Sequence, residues 1–208
     1  MGPAGNRRAD PRLELRGNMD LGFLDAATWL NPPPDQGRDA NGLWVETGAD
    51  TDFWRHTHYG FVHENGHALM AAVAGDFTAV VTFDAAWTAP FDQAGIMLWQ
   101  DAGHWIKAGV ELSDGILNLG AVVTRERSDW NCVPVPGLSG PQTLRLTRRG
   151  DAVALEYLAT RWRLIRLADF PAGPARFGIM ACSPSRAGLL ARFSAIGVGP
   201  AQDVVHAA

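Results

Sequence analysis

Residues 51–67 hold four of the chain's six histidines together with one Trp, one Tyr and two Phe. Such side chains stack, hydrogen-bond, titrate and bind metals, so this stretch is where chemistry is first sought. One reading is a metal site. Residues two apart on a strand share a face, which pairs His56 with His58, and neutral imidazole suits zinc or copper. His63 and His67 follow close behind. The plainer reading is four solvated or hydrogen-bonded histidines in a strand and turn. A third is an aromatic and polar ligand surface, for which Trp54, His58 and Tyr59 are the candidates.

The elements that would position these residues are short strands between turn signals. Apolar alternation with Gly, Asp and Asn breaks predicts strands at 43–47, 53–61, 67–72, 77–84, 93–100, 105–112, 116–125, 142–148, 152–157, 161–167, 176–182 and 189–198. Residues 20–30 predict an edge strand or a turn of helix. Asn31-Pro32-Pro33-Pro34-Asp35 predicts a stiff extended linker, since proline lacks the ladder donor. Strands of this length and spacing, with no helical stripe, predict an all-β sandwich or barrel. The turn Asp101-Ala102-Gly103-His104 makes a hairpin of its two flanking strands. On that hairpin Ile106, Ala108, Val110 and Leu112 face the core, with Ala94, Ile96 and Leu98. Trp105, Lys107, Gly109 and Glu111 face the other way, with Gln93, Gly95, Met97 and Trp99. Phe77, Ala79, Val81 and Phe83 form a further core set.

The totals narrow the class. A chain of 208 residues with 47% hydrophobic content suits one large β domain. The expected organisation is a loose tail over 1–18, one domain over 19–200 and a short tail over 201–208. A net charge of −4 gives no basic field for nucleic acid. No apolar run reaches membrane-spanning length and the N-terminus has no secretory h-region. Cys132 and Cys182 show neither a CxxC nor a zinc spacing and read as two buried thiols, with a secreted disulfide as the alternative. A cytoplasmic protein without a cofactor, nucleic-acid partner or membrane partner is expected.

Several runs resemble a known family. They are Thr51-Asp52-Phe53-Trp54, Thr57-His58-Tyr59-Gly60-Phe61, Asn65-Gly66-His67, Gly75-Asp76-Phe77-Thr78-Ala79 and Asp92-Gln93-Ala94-Gly95. Trp105-Ile106-Lys107, Gly109-Val110-Glu111, Val123-Thr124-Arg125, Ser128-Asp129-Trp130, Leu146-Thr147-Arg148-Arg149-Gly150-Asp151 and Cys182-Ser183-Pro184 follow in order. Together they resemble the regulation of enolase protein 1 family, whose largely uncharacterised domains have the concanavalin A-like lectin/glucanase jelly roll. The resemblance runs over residues 20–198. It implies two packed antiparallel sheets, one concave, and in the wider superfamily the concave face binds saccharides. Within the opening stretch it selects Trp54, His58, Tyr59 and His67, and His56 departs from the pattern.

Glycoside hydrolysis needs two carboxyls about 5–5.5 Å or 6.5–9.5 Å apart, and glucanases of this superfamily carry acids at alternate strand positions. Glu111 lacks such a neighbour. Lys107 is its nearest ionisable partner on that face, and a second acid would have to come from another strand. Sugar sites combine aromatic platforms with planar polar groups, and Trp54, His58, Tyr59, Trp99, Trp105, Lys107, Glu111, Arg125 and Trp130 supply both. The sequence therefore predicts non-catalytic binding of a small saccharide or sugar-like ligand on a concave sheet face. A protein-interaction or homodimer module is the alternative and a glycoside hydrolase the lesser one.

Overall fold

A computed structural model describes residues 21–203. The tail expected at 1–18 lies outside them. Of the C-terminal tail 201–203 are described, and there the Gln202 N–H donates to Thr78 Oγ1 at 2.8 Å. A 3-10 turn, Gly22–Ala26, opens the described chain. Sixteen strands follow: β1 Thr28–Leu30, β2 Asp35–Asp39, β3 Gly42–Glu46, β4 Phe53–Arg55, β5 Val62–Glu64, β6 His67–Val73, β7 Phe77–Ala85 and β8 Gln93–Asp101, then β9 His104–Ser113, β10 Ile116–Arg125, β11 Arg127–Pro134, β12 Gln142–Arg149, β13 Ala152–Leu158, β14 Trp162–Asp169, β15 Ala175–Cys182 and β16 Leu190–Pro200.

The strands form two seven-stranded antiparallel sheets, as the all-β sandwich reading expects. One has the order β1-β6-β15-β8-β9-β10-β11 and the other β14-β13-β12-β7-β16-β3-β2, while β4 and β5 form a separate hairpin. Between the sheets lies the main core. The apolar sets read from alternation point into it, with Ala94, Ile96 and Leu98 of β8 and Ile106, Ala108 and Val110 of β9. They meet Ala79, Val81 and Phe83 of β7 and Leu144 and Leu146 of β12 from the facing sheet. Phe77 meets Phe177 edge-on across the two layers at 5.9 Å, and Phe83 tilts against Phe193 within the second sheet at 6.1 Å. The β8–β9 hairpin turns where expected and pairs Trp99 with Trp105. Among the described residues no helix is long and apolar enough to cross a membrane.

The strand expected over 53–61 is the main difference. It stops at Arg55, because His56 and His58 take left-handed φ values of 60° and 62°. The loop closes on itself through His56 N–H to Phe61 O at 2.8 Å and Gly60 N–H to His56 O at 2.8 Å. His56 and His58 are thus turn residues, and the strand face that would pair them on one metal does not exist. Among the described residues no cluster of three His, Cys, Asp or Glu could hold an ion. The proline run gives way at once to β2, an exposed edge strand paired with β3. Two further strands are unexpected: β5, which pairs with β4, and β11, a mostly exposed edge on β10.

Candidate functional site

The β4–β5 hairpin folds over the outer face of the first sheet. Beneath it lies a second apolar cluster of Phe53, Trp54, Ala68, Met70, Met97, Trp105, Val122, Met180 and Cys182. Phe53 sits 5.9 Å from the Trp105 ring and 6.1 Å from Trp99. Local polar bonds hold the hairpin down. Asn65 Oδ1 accepts from Asp52 N–H at 3.0 Å and Asn65 Nδ2 donates to Asp50 O at 2.8 Å. Arg55 N–H donates to Ser128 Oγ at 2.9 Å, and the Arg55 guanidinium pairs with Glu64. Buried His67 accepts from Gly48 N–H at Nε2 (3.0 Å) and donates from Nδ1 to Asn31 O (2.9 Å). Burial holds its pKa below the usual histidine value, so His67 is a neutral strut of the fold.

Between the hairpin and the sheet a cavity of about 300 Å³ opens to the surface. Strand register builds its floor in three transverse rows. Met97, Lys107, Val122 and Trp130 are aligned across β8–β11. Gly95, Gly109, Gly120 and Cys132 form the next row, and Gln93, Glu111, Asn118 and Pro134 the third. The glycine row leaves bare backbone between a mostly apolar row that carries Lys107 and a row that carries Gln93, Glu111 and Asn118. Beside it is a slot of about 20 Å³ lined by Glu111, Asn118, Gly120 and Cys132 among others, room for one water. Trp54, Tyr59 and Phe61 from the hairpin, Trp130 from β11, and Phe91 and Pro184 from two loops wall the cavity. The Phe91 loop is anchored by buried Asp92. Burial alone would raise this carboxyl, but the Arg186 guanidinium at 2.6 Å, the Thr88 and Ala89 N–H groups and the Ser183 hydroxyl hold it below its ordinary value.

The polar floor is asymmetric. Lys107, only 4% exposed, donates to Asp52 Oδ1 at 2.7 Å and to Gln93 Oε1 at 2.8 Å. Phe53 N–H donates to the same Asp52 oxygen at 2.8 Å. Burial alone would discharge the ammonium, but Asp52 beside it, with Cys182 and Glu111 further off, holds Lys107 above the usual lysine range. Lys107 is therefore Asp52's partner, not Glu111's as the shared strand face suggests. The Glu111 carboxyl accepts and donates no hydrogen bond among the described residues. Burial pushes its pKa up from 4.5 to about 7, with Lys107 drawing it back and Asp52 adding to the rise. In Lys107→Met the Glu111 carboxyl should consequently titrate higher than in the unaltered protein, since the ammonium is the one neighbour favouring its charged form. A side-chain carboxyl NMR titration of both proteins reads this, and an equal or lower value in the variant would contradict the arrangement. The same variant strands Asp52 without its counter-ion, a loss of about 3 kcal/mol of stability.

Of the residues singled out from sequence, Trp54, Tyr59, Lys107, Glu111 and Trp130 meet in this cavity. Trp105 does not, for it is fully buried under Phe53, and Trp99 packs against the same cluster. His58 is exposed outside the cavity and stacks edge-on against Tyr59 at 4.8 Å. Arg125 has the wrong parity: three residues past Val122, it leaves the cavity face and pairs with Asp169 of the other sheet. Asp52, Phe61, Phe91, Gln93, Val122 and Pro184 are additional lining residues. Asp52 and Gln93 lie inside runs that carried the family resemblance, and Gln93 already had the right parity. Phe91 left no sequence signal, because its left-handed φ of 66° belongs to a loop.

Comparison with known proteins agrees with this architecture. A family model described as "Protein of unknown function (DUF1349)" matches residues 29–201. Regulation of enolase protein 1 from Saccharomyces cerevisiae is 40% identical over 174 residues, 82% of this chain and 88% of that protein. The crystal structure of a functionally unknown protein from Saccharomyces cerevisiae superposes with a TM-score of 0.83 at 38% identity, covering 86% of this chain and 99% of that one. The carbohydrate binding module CBM66 from Bacillus subtilis shares the fold with a TM-score of 0.55 at 14% identity, covering 87% and 96% of the two chains. The chain thus belongs to the DUF1349 family and is a homologue of yeast regulation of enolase protein 1.

Proposed function

We propose that this protein is a non-catalytic binding module that holds a small saccharide in the cavity between the β4–β5 hairpin and the first sheet. The observation that carries the reading is the pairing of aromatic walls with an open carboxyl: Trp54, Tyr59 and Trp130 line a cavity whose floor presents Glu111 without a hydrogen-bond partner. Sugar rings offer apolar C–H faces to aromatic rings and hydroxyls to carboxyls, and a buried polar group gains most when a ligand supplies its missing bond. Lys107 and Gln93 keep donors beside Glu111, so one hydroxyl can accept from the amide or ammonium while its neighbour donates to the carboxyl. The volume lies at the lower end of small-molecule sites, which suits one or two sugar rings. The sandwich shared with a carbohydrate binding module supports the reading at the level of fold.

One observation favours a second reading. Asp52 and Glu111 both line the cavity, so a glycosidase would have two carboxyls at hand. Asp52, however, spends Oδ1 on three donors, Lys107, Phe53 N–H and Gln93 Nε2 at 3.3 Å, which suits a fixed charge better than a nucleophile. Steady release of nitrophenol from a panel of nitrophenyl glycosides, lost in Glu111→Gln, would decide for hydrolysis.

Binding is tested by titrating a panel of mono- and disaccharides by calorimetry. Trp130 is 38% exposed on an edge strand, so Trp130→Ala leaves the core intact. It should weaken any sugar found by about 10- to 100-fold through lost stacking. Unchanged affinity in Trp130→Ala would remove this cavity from consideration, and a panel with no binder alongside a co-purifying protein would favour an interaction module.

A further inference from the structure

The cavity's charges do not balance. Its ionisable lining consists of Asp52, Lys107, Glu111 and the Tyr59 phenol. Lys107 and Asp52 neutralise each other in contact at 2.7 Å, and the ammonium spends two of its three donors on Asp52 and Gln93. Among the described residues Glu111 is left as a carboxyl with neither hydrogen bond nor salt bridge. Around it stand the rings of Trp54, Tyr59, Phe61, Phe91 and Trp130. Four of these stay exposed: Tyr59, Phe61, Phe91 and Trp130. Tyr59 and Phe61 stack with 10° between their planes at 5.4 Å, and Trp54 meets Tyr59 edge-on at 5.5 Å, so the wall is a preformed aromatic surface.

An aromatic wall with one unmatched carboxyl has a definite electrostatic preference. Ring faces carry negative potential and attract cations, more strongly as water is excluded. An ammonium against Glu111 would gain both the ion pair and the ring contacts. A carboxylate ligand would face Glu111 with only an already paired lysine to meet it. Burial raises the Glu111 pKa, and a cation beside the carboxyl would favour its charged form.

We infer that the cavity discriminates by charge and that its preferred ligand class is an amino sugar with a free ammonium group, ahead of neutral sugars and well ahead of acidic ones. This rests on the saccharide reading and adds to it the substituent that sets specificity.

The test is an NMR titration of the full chain at neutral pH and constant ionic strength with glucosamine, glucose, glucuronic acid and tetramethylammonium. Glucosamine should bind about tenfold tighter than glucose, and glucuronic acid weaker than glucose. In Glu111→Gln, a near-isosteric change, the glucosamine-to-glucose ratio should fall to about one. Equal or weaker binding of glucosamine overturns the charge preference and leaves the saccharide reading standing. A preference that survives in Glu111→Gln overturns the assignment to that carboxyl. Tetramethylammonium binding with no sugar bound overturns the saccharide reading while the charge preference holds. No binding by any of the four overturns both.

Discussion

Replacing Glu156 with glutamine is expected to lower the unfolding free energy by about 3–5 kcal/mol. Glu156 and Arg145 face each other across β12 and β13 and are 0% and 2% exposed. Arg145 Nε donates to Glu156 Oε2 at 2.7 Å, and its guanidinium lies 4.4 Å from the centre of the Trp162 ring. Among the described residues Arg145 Nη2, Glu156 Oε1 and Trp162 Nε1 have no hydrogen-bond partner. The pair is thus the main compensation for two charges withdrawn from water. Removing one partner leaves the other buried and unmatched, which costs far more than the pair gains. For a chain of this size each kcal/mol moves the melting temperature by about 2–4 °C, so Glu156→Gln should melt on the order of 10 °C lower. The double change Arg145→Met with Glu156→Leu should regain most of that loss, because it removes the stranded charge. A single-variant loss below about 1 kcal/mol would show that the pair is effectively solvated.

Gly109→Ala is the second large effect, a loss of about 3 kcal/mol or more. A Cβ on Gly109 would lie 2.1 Å from Ala94 O, and one on Gly95, its partner across β8–β9, 2.1 Å from Ala108 O. The obstacles are backbone carbonyls within a central strand pair, which cannot rotate away as a side chain can. Neither glycine has a positive φ, so the requirement is close approach of two backbones and not a left-handed conformation. Gly75 makes the contrast. Its φ is 62° with open space around its Cβ position, and Gly75→Ala should cost only about 1 kcal/mol. Denaturant melts of the two variants check the ordering, and equal losses would contradict the close approach.

The sheets were legible from sequence because their inner strands are buried on one face and alternate cleanly, as in β7, β8 and β9. The edge strands β2 and β11 were not, although edge strand β14 was. β11 reads Arg-Ser-Asp-Trp-Asn-Cys-Val-Pro, whose exposed polar positions hide the alternation. Parity rightly put Trp105, Lys107 and Glu111 on one outer face, yet it could not tell that the β4–β5 hairpin roofs Trp105 and leaves Glu111 open. Whether a residue on that face is packed or free depends on a loop whose turn is set by His56 and His58 in left-handed conformations, which histidine tolerates but does not announce. The Lys107 partner was hidden for a similar reason. Asp52 lies 55 residues away in sequence and reaches the lysine only because the hairpin folds back over the sheet.

The central claim is that the hairpin-covered cavity is the ligand site. Heteronuclear NMR of the indole and side-chain amide signals during a glucosamine titration tests it most directly. Saturable shifts of the Trp54 and Trp130 indole signals and of the Gln93 amide are expected, with the Trp162 indole on the opposite sheet unmoved. Shifts at Trp162 with Trp54 and Trp130 unmoved would contradict it.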